Sequence, residues 1–246
     1  PSRRPMIAFD QLVRVPLAPL LIWQGRRVRR QALILPEPQG PRAGSLGQGP
    51  SLRLLIAGDS SAAGVGAAHQ QEALSGQLAQ ALASSYRVEW QLIAQTGLRT
   101  RELIPPLQHL PEQRVDVVVL ALGVNDVTGL STGRRFARDQ ERLIALLQNR
   151  FDPHLILACG VPQMQRFPAL PQPLAWVLGQ QAARLDGVLA ELAQEQPVLQ
   201  HLPFHLPQDP ELAAEDGYHP SPKAYHLWAL ALAEQIRNHH HEPPAR

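Results

Sequence analysis

From residue 52 onward the chain alternates short apolar runs with stretches whose apolar positions recur every three or four residues. Residues 52–57 (LRLLIA) end at a glycine and have the pattern of a strand buried on both faces. Leu74, Leu78 and Leu82 follow at a spacing of four, which sets them on one helical face. The alternation continues with a predicted strand over 88–94, a short helix near 101–107 and a strong strand over 115–122. Residues 134–148 read as a helix with Phe136, Leu143, Ile144 and Leu147 on one side. A strand over 155–159, a helix over 175–192, a weak strand over 198–202 and a closing helix over 222–237 complete the pattern. Pro222 suits the first turn of that helix, where its missing N–H would have no helical partner. This order predicts an α/β fold: a three-layer α/β/α sandwich around a central, mostly parallel five-stranded sheet. Ligands of such sheets bind outside the carboxyl ends of the strands.

Residues 1–50 break the pattern. An apolar-basic segment is followed by PEPQGPRAGSLGQGP, which has the composition of a loop or linker. The expected organisation is an N-terminal arm and Pro/Gly-rich linker over 1–50, a main domain over 51–240 and a tail over 241–246. The apolar run over 15–23 is broken by Pro16 and Pro19 and falls short of the roughly 18 residues a membrane span needs. Arg26, Arg27, Arg29 and Arg30 follow it, the reverse of the order in a signal peptide. Two roles are open for the arm. It packs across the main domain, or it makes a weak peripheral membrane contact through residues 15–30. In the second role Leu20, Leu21, Ile22 and Trp23 insert and the arginines meet lipid phosphates.

Composition narrows the class. With 44% hydrophobic and 18% charged residues, the chain is neither disordered nor an integral membrane protein. Twenty-three basic against 21 acidic residues leave a net charge of +2, so no nucleic-acid partner is expected. The single cysteine, Cys159, excludes an internal disulfide and a cysteine-rich zinc site. It is silent about compartment. The cytoplasm is the expected location, with the periplasm or a membrane-peripheral position as the alternative if a segment before Pro1 was removed. The sequence sets no oligomeric state.

Three segments carry candidate chemistry. GDSSAAGVG (58–66) directly follows the first predicted strand. Its glycines do not fall as GxGxxG, and it lacks the GK[ST] ending of a phosphate loop. Two readings remain: an ordinary Gly-Asp-Ser turn, or a nucleophile turn that exposes Ser60 at the carboxyl edge of the sheet. GVND (123–126) follows the strand over 115–122 and lies on the same edge. There Asn125 either caps its loop or aims its side-chain amide into the cleft as an oxyanion donor. DGYHPS (216–221) precedes the final helix. Asp216 and His219 are three apart, so one turn of chain can hold the carboxylate against one imidazole nitrogen and leave the other free for a hydroxyl.

In order and position these segments resemble the SGNH branch of the GDSL hydrolase (esterase/lipase) family, in particular bacterial lysophospholipase- and arylesterase-like members. The nucleophile block matches as GDSS, with Ser60; AQTGLRT after the second strand matches the glycine block, with Gly97. GVND supplies Asn125, and DGYHPS supplies Asp216 and His219. Two departures stand out: GDSSAAG in place of GDSL, and Gln95 and Thr96 where many members carry a nearby asparagine. The resemblance covers about residue 52 to the final helix and implies a flavodoxin-like SGNH hydrolase fold.

It also implies a serine esterase with the catalytic residues Ser60, Asp216 and His219. The oxyanion hole would be formed by Ser60, Gly97 and Asn125, with no metal and no cofactor. The implied substrate is a small-molecule carboxylic ester, short-chain or aryl, with lysophospholipids also open. A carbohydrate O-acetyl esterase, a thioesterase or a non-catalytic binding module on the same fold are the alternatives. Asp59 and Asp126, beside these residues, are expected to orient loops. The proline-rich segment 160–174 lies at the same edge, and Val161, Met164 and Phe167 are expected to line the substrate pocket, as a wall or as a lid.

Overall fold

The computed structural model describes residues 9–203, 207 and 209–241; the first eight residues of the arm and nearly all of the expected tail lie outside the described residues. A long helix, α1 (Phe9–Gln31), leads into an edge strand, β1 (Ala43–Leu46). Then come β2 (Ser51–Gly58), α2 (Ser60–Ala63), α3 (Leu74–Leu82), β3 (Arg87–Ala94), α4 (Thr100–Gln108) and β4 (Val117–Ala121). The chain continues through α5 (Val124–Thr128), α6 (Gly133–Phe151), β5 (Leu155–Cys159), α7 (Leu174–Glu195), β6 (Leu199–Leu202) and α8 (Pro222–His241). Every helix and strand predicted after residue 50 is present.

The strands lie in the order β1-β3-β2-β4-β5-β6, all parallel except β1, which runs antiparallel to β3. Side chains alternate between the faces of the sheet, so each central strand feeds two cores. Leu55, Val118 and Ile156 pack under α4, α6 and α7, while Leu54, Val117 and Leu155 pack under α3 and α8. β4 and β5 are buried along their whole length, which explains their unbroken apolar sequences.

Among the described residues the sheet holds six strands rather than five. The sixth comes from the stretch expected to be a linker, where Ala43–Leu46 pairs with 88–91 of β3. All four of its residues are solvent-exposed. Its side chains therefore carry no burial pattern, and the pairing is made by the backbone groups of an otherwise open sheet edge. The arm is also more ordered than its prolines suggest. α1 continues through Pro16 and Pro19 and packs on α7, with Leu21 and Val28 against the core. Buried Gln24 clamps it: Nε2 donates to the Gln172 carbonyl (2.6 Å) and Oε1 accepts from the Leu174 N–H (3.1 Å).

From β2 the chain crosses to β3 on one side, then returns to β4 on the other. A parallel sheet opens a crevice at such a reversal, outside the carboxyl ends of the two strands. The ends of β2 and β4 meet very closely: a Cβ on Gly58 would lie 2.0 Å from the Ala121 carbonyl oxygen, a space only glycine fits.

Candidate active site

Ser60 opens α2 two residues beyond the end of β2, with Asp59 between them. The turn is held by Asp59, whose Oδ1 accepts the Ser61 N–H (3.0 Å) and whose own N–H donates to the Ala121 carbonyl (3.1 Å). On the neighbouring strand end, Gly123 turns the chain from β4 into α5, which carries Asn125. Asp216 and His219 sit in a loop closed by the Ala213–Pro220 bridge and by the Ala214 N–H donating to the His219 carbonyl (2.8 Å). Asp216 Oδ1 accepts the N–H groups of Tyr218 and His219 (both 3.0 Å), a local turn that brings the carboxylate and the imidazole together. The loop is tied at its end, where Ser221 Oγ donates to the Glu211 carbonyl (2.6 Å).

His219 Nδ1 lies 2.5 Å from Asp216 Oδ2, and Nε2 lies 2.9 Å from Ser60 Oγ. With the Nδ1 proton donated to the carboxylate, Nε2 offers its lone pair to the serine hydroxyl. The Asp216 side chain is 1% exposed and that of His219 is 23% exposed, so the carboxylate is sheltered while the imidazole reaches the cleft. Burial pushes the Asp216 carboxyl up, but the His219 side chain and the Tyr218 and His219 N–H groups outweigh it and hold it below the usual carboxylate range.

Gly97 lines the same cleft. Its φ of +88° is in the region that favours glycine, and its loop is held where Glu37 Oε1 accepts the Thr96 N–H and hydroxyl (both 2.8 Å). Among the described residues, the N–H groups of Ser60 and Gly97 donate to no protein acceptor. Asn125 Nδ2 donates to Asp59 Oδ2 (3.2 Å) and to the Leu98 carbonyl (3.1 Å). The amide thus stands at the cleft but is shared with Asp59, a link the sequence did not reveal.

Asp59 and Asp126 orient loops, as expected. Asp126 Oδ2 accepts the N–H and the hydroxyl of Thr100 (3.0 and 2.9 Å), joining the β4 loop to the start of α4. Burial raises both carboxyls, that of Asp59 to about 6. Cys159 also borders the cleft, where burial pushes its thiol up to about 12 and keeps it protonated at neutral pH. Among the described residues, no group of three or more His, Cys, Asp or Glu is arranged to hold a metal ion.

Ser60, His219, Gly97 and Asn125 open onto one cleft of about 1460 Å³, walled mainly by apolar side chains. Met164 and Phe167 line it, the latter edge-on to Tyr218 at 6.5 Å, and Tyr218 Oη donates to the Ala169 carbonyl (3.2 Å). Val161 is a correction: it is absent from the cleft wall and buried in the core beside Gly123. Its N–H donates to Asp186 Oδ1 (2.9 Å), and its side chain packs against Gly123 within the core. A further wall that the sequence did not reveal is formed by α1 through Arg14, Ala18, Leu21, Ile22 and Gly25. Helical spacing in these residues was the available signal, obscured by the prolines and by their mixed polarity.

The sequence pattern of the GDSL-like Lipase/Acylhydrolase family matches residues 56–227. A GDSL-like esterase of Mycobacterium tuberculosis is 28% identical over 213 residues, covering 79% of this chain and 67% of its own. Among solved structures, the chain resembles a carbohydrate esterase family 2 enzyme of Corynascus thermopiles (Myceliophthora fergusii). That likeness has a TM-score of 0.63 at 16% identity, over 82% of this chain and 68% of the other. It also resembles an inhibitor-bound aryl esterase of M. smegmatis, with a TM-score of 0.58 at 19% identity, over 76% of this chain and 99% of that one. At these identities the solved structures speak for the fold, and the family match, which spans the serine, asparagine and histidine segments, goes further: the chain belongs to the GDSL-like Lipase/Acylhydrolase family of esterases.

Proposed function

We propose that the protein hydrolyses carboxylic esters through an acyl-enzyme on Ser60. The observation that carries this reading is the chain of contacts from Ser60 Oγ to His219 Nε2 (2.9 Å) and from His219 Nδ1 to Asp216 Oδ2 (2.5 Å). Ser60 attacks the ester carbonyl as His219 Nε2 takes its proton, and Asp216 stabilises the imidazolium. The oxyanion is received by the Ser60 and Gly97 N–H groups, with Asn125 Nδ2 turning from Asp59 and the Leu98 carbonyl towards it. His219 then protonates the leaving alcohol, and a water activated by the same imidazole releases the acid and frees Ser60. The substrate is a short-chain or aryl ester, and the long apolar cleft also accommodates a longer acyl chain such as that of a lysophospholipid.

The test is labelling with a fluorophosphonate probe together with turnover of a p-nitrophenyl ester series. The wild type is expected to label and turn over, and Ser60→Ala to do neither. Equal labelling of Ser60→Ala, or an inert wild type, overturns the reading; the inert wild type would leave a binding module on this fold. The chain-length profile across the series then sets the acyl preference.

A further inference from the structure

The outer face of α1 has no partner within the described residues. Leu12, Val15, Leu20 and Trp23 are large apolar side chains left exposed there, Val15 at 77% and Trp23 at 55%, and Ile22 is exposed beside them where the helix borders the cleft. Such a concentration on one helix is rare on a soluble surface unless something covers it. Leu21, expected to belong with them, faces inward against the core, so the apolar face is selective rather than a by-product of an apolar segment. One turn further on, Arg26, Arg27, Arg29 and Arg30 are all exposed. None of them has a carboxylate within ion-pair distance among the described residues. Arg27 instead lies over the Trp23 ring at 5.4 Å and donates through Nε to Gln31. In a chain of net charge +2 this is a strong local concentration of positive charge.

We propose that α1 docks the protein on an anionic lipid surface, lying in the plane of the headgroups. No helix among the described residues is long and apolar enough to cross a membrane. An apolar face bordered by arginines is the composition of a helix that rests at the interface. Trp23 and Leu20 enter the boundary between headgroups and acyl chains, and the arginines meet lipid phosphates. A second copy of the chain is a poorer occupant, because a two-fold contact sets this basic face against a copy of itself, with like charge on both sides. α1 also walls the cleft through Ala18, Ile22, Arg26 and Arg29, so docking sets the mouth of the cleft against the lipid.

The experiment is co-sedimentation of the full chain with phosphatidylcholine vesicles with and without 30% phosphatidylglycerol, alongside light scattering without lipid. The wild type is expected to bind the anionic vesicles, to release them as salt rises, and to leave neutral vesicles largely unbound. Arg27→Gln/Arg30→Gln is expected to weaken binding about thirtyfold, from about 1 kcal/mol for each arginine near an anionic surface. Leu20→Glu/Trp23→Glu is expected to abolish it. None of these four residues lines the cleft, so turnover of a soluble ester stays unchanged in both variants. Ser60→Ala binds vesicles like the wild type, which separates this proposal from the esterase reading. The proposal is overturned if the wild type does not bind or binds both vesicle types equally, or if the variants bind as the wild type does. A dimer that Leu20→Glu/Trp23→Glu disperses also overturns it.

Discussion

Asp59 and Asp216 stand on either side of the Ser60–His219 pair, both buried, and their carboxyls shift in opposite directions. At Asp59 burial dominates over the bonds from Ser61 and raises the carboxyl from 3.8 to about 6. Between those values the folded chain holds a proton that the unfolded chain releases, so this group's contribution falls as pH rises, by about 3 kcal/mol in all. Asp59→Asn removes that fall. Its melting temperature relative to the wild type should rise from pH 4 to about pH 6 and level off above, and a constant difference would contradict the shift. Asp216 has the opposite sign: its contribution is present above the unfolded carboxylate value and is lost as pH falls through its lowered folded value. Asn125 is the other residue with a directed consequence. Given its proposed role as an oxyanion donor, its replacement in Asn125→Ala should lower kcat by about 10²–10³ with little change in KM. Unchanged kcat would remove Asn125 from that role. Ser60, Asp216 and His219 were legible in the sequence because each sits in a short block with its own local logic. The bond from Asn125 to Asp59, 66 residues apart, was not, because no local pattern records it.

At the scale of elements, α8 is tied to the turn that carries Ser60 by one buried contact. Tyr225 is fully buried, and its hydroxyl donates to the Val65 carbonyl just after α2 (2.7 Å). Burial also keeps that phenol well above its usual range, so it remains a donor at any working pH. Tyr225→Phe strands the carbonyl without its partner and should cost about 1–3 kcal/mol, read as a lower denaturation midpoint with an unchanged slope. A midpoint within error of the wild type would show that water replaces the bond. Element boundaries were legible where apolar periodicity met a clear stop, as at Leu155–Cys159, which matches the predicted strand residue for residue. They were illegible at β1, whose four exposed residues pair only because β3 offers an open edge.

At the scale of the whole molecule, the cleft exists in its observed form because α1 is laid against α7. Gln24 holds that contact with both ends of its amide, to Gln172 and Leu174. Gln24→Ala leaves the Leu174 N–H and the Gln172 carbonyl without this partner and loosens the α1 wall. The expected result is a raised KM for decanoyl esters, with acetyl esters, which need only the end of the cleft beside Ser60, little affected. An equal change for both chain lengths would show that α1 does not form the acyl wall.

Periodicity determined the α/β order, because it records residues a few positions apart on one face, and the crossover rule for alternating strands and helices then implied the mostly parallel sheet and the edge on which the chemistry lies. The order of the four blocks likewise determined the family, since each block is a strand end or turn whose residues serve their neighbours. Tertiary structure decided what remained: the meeting of Ser60 with His219 across 159 residues, the inward turn of Val161, the sixth strand and the α1 wall. These rest on backbone edges, buried amides and close approaches between distant segments, and such contacts leave no repeating mark along the chain that makes them.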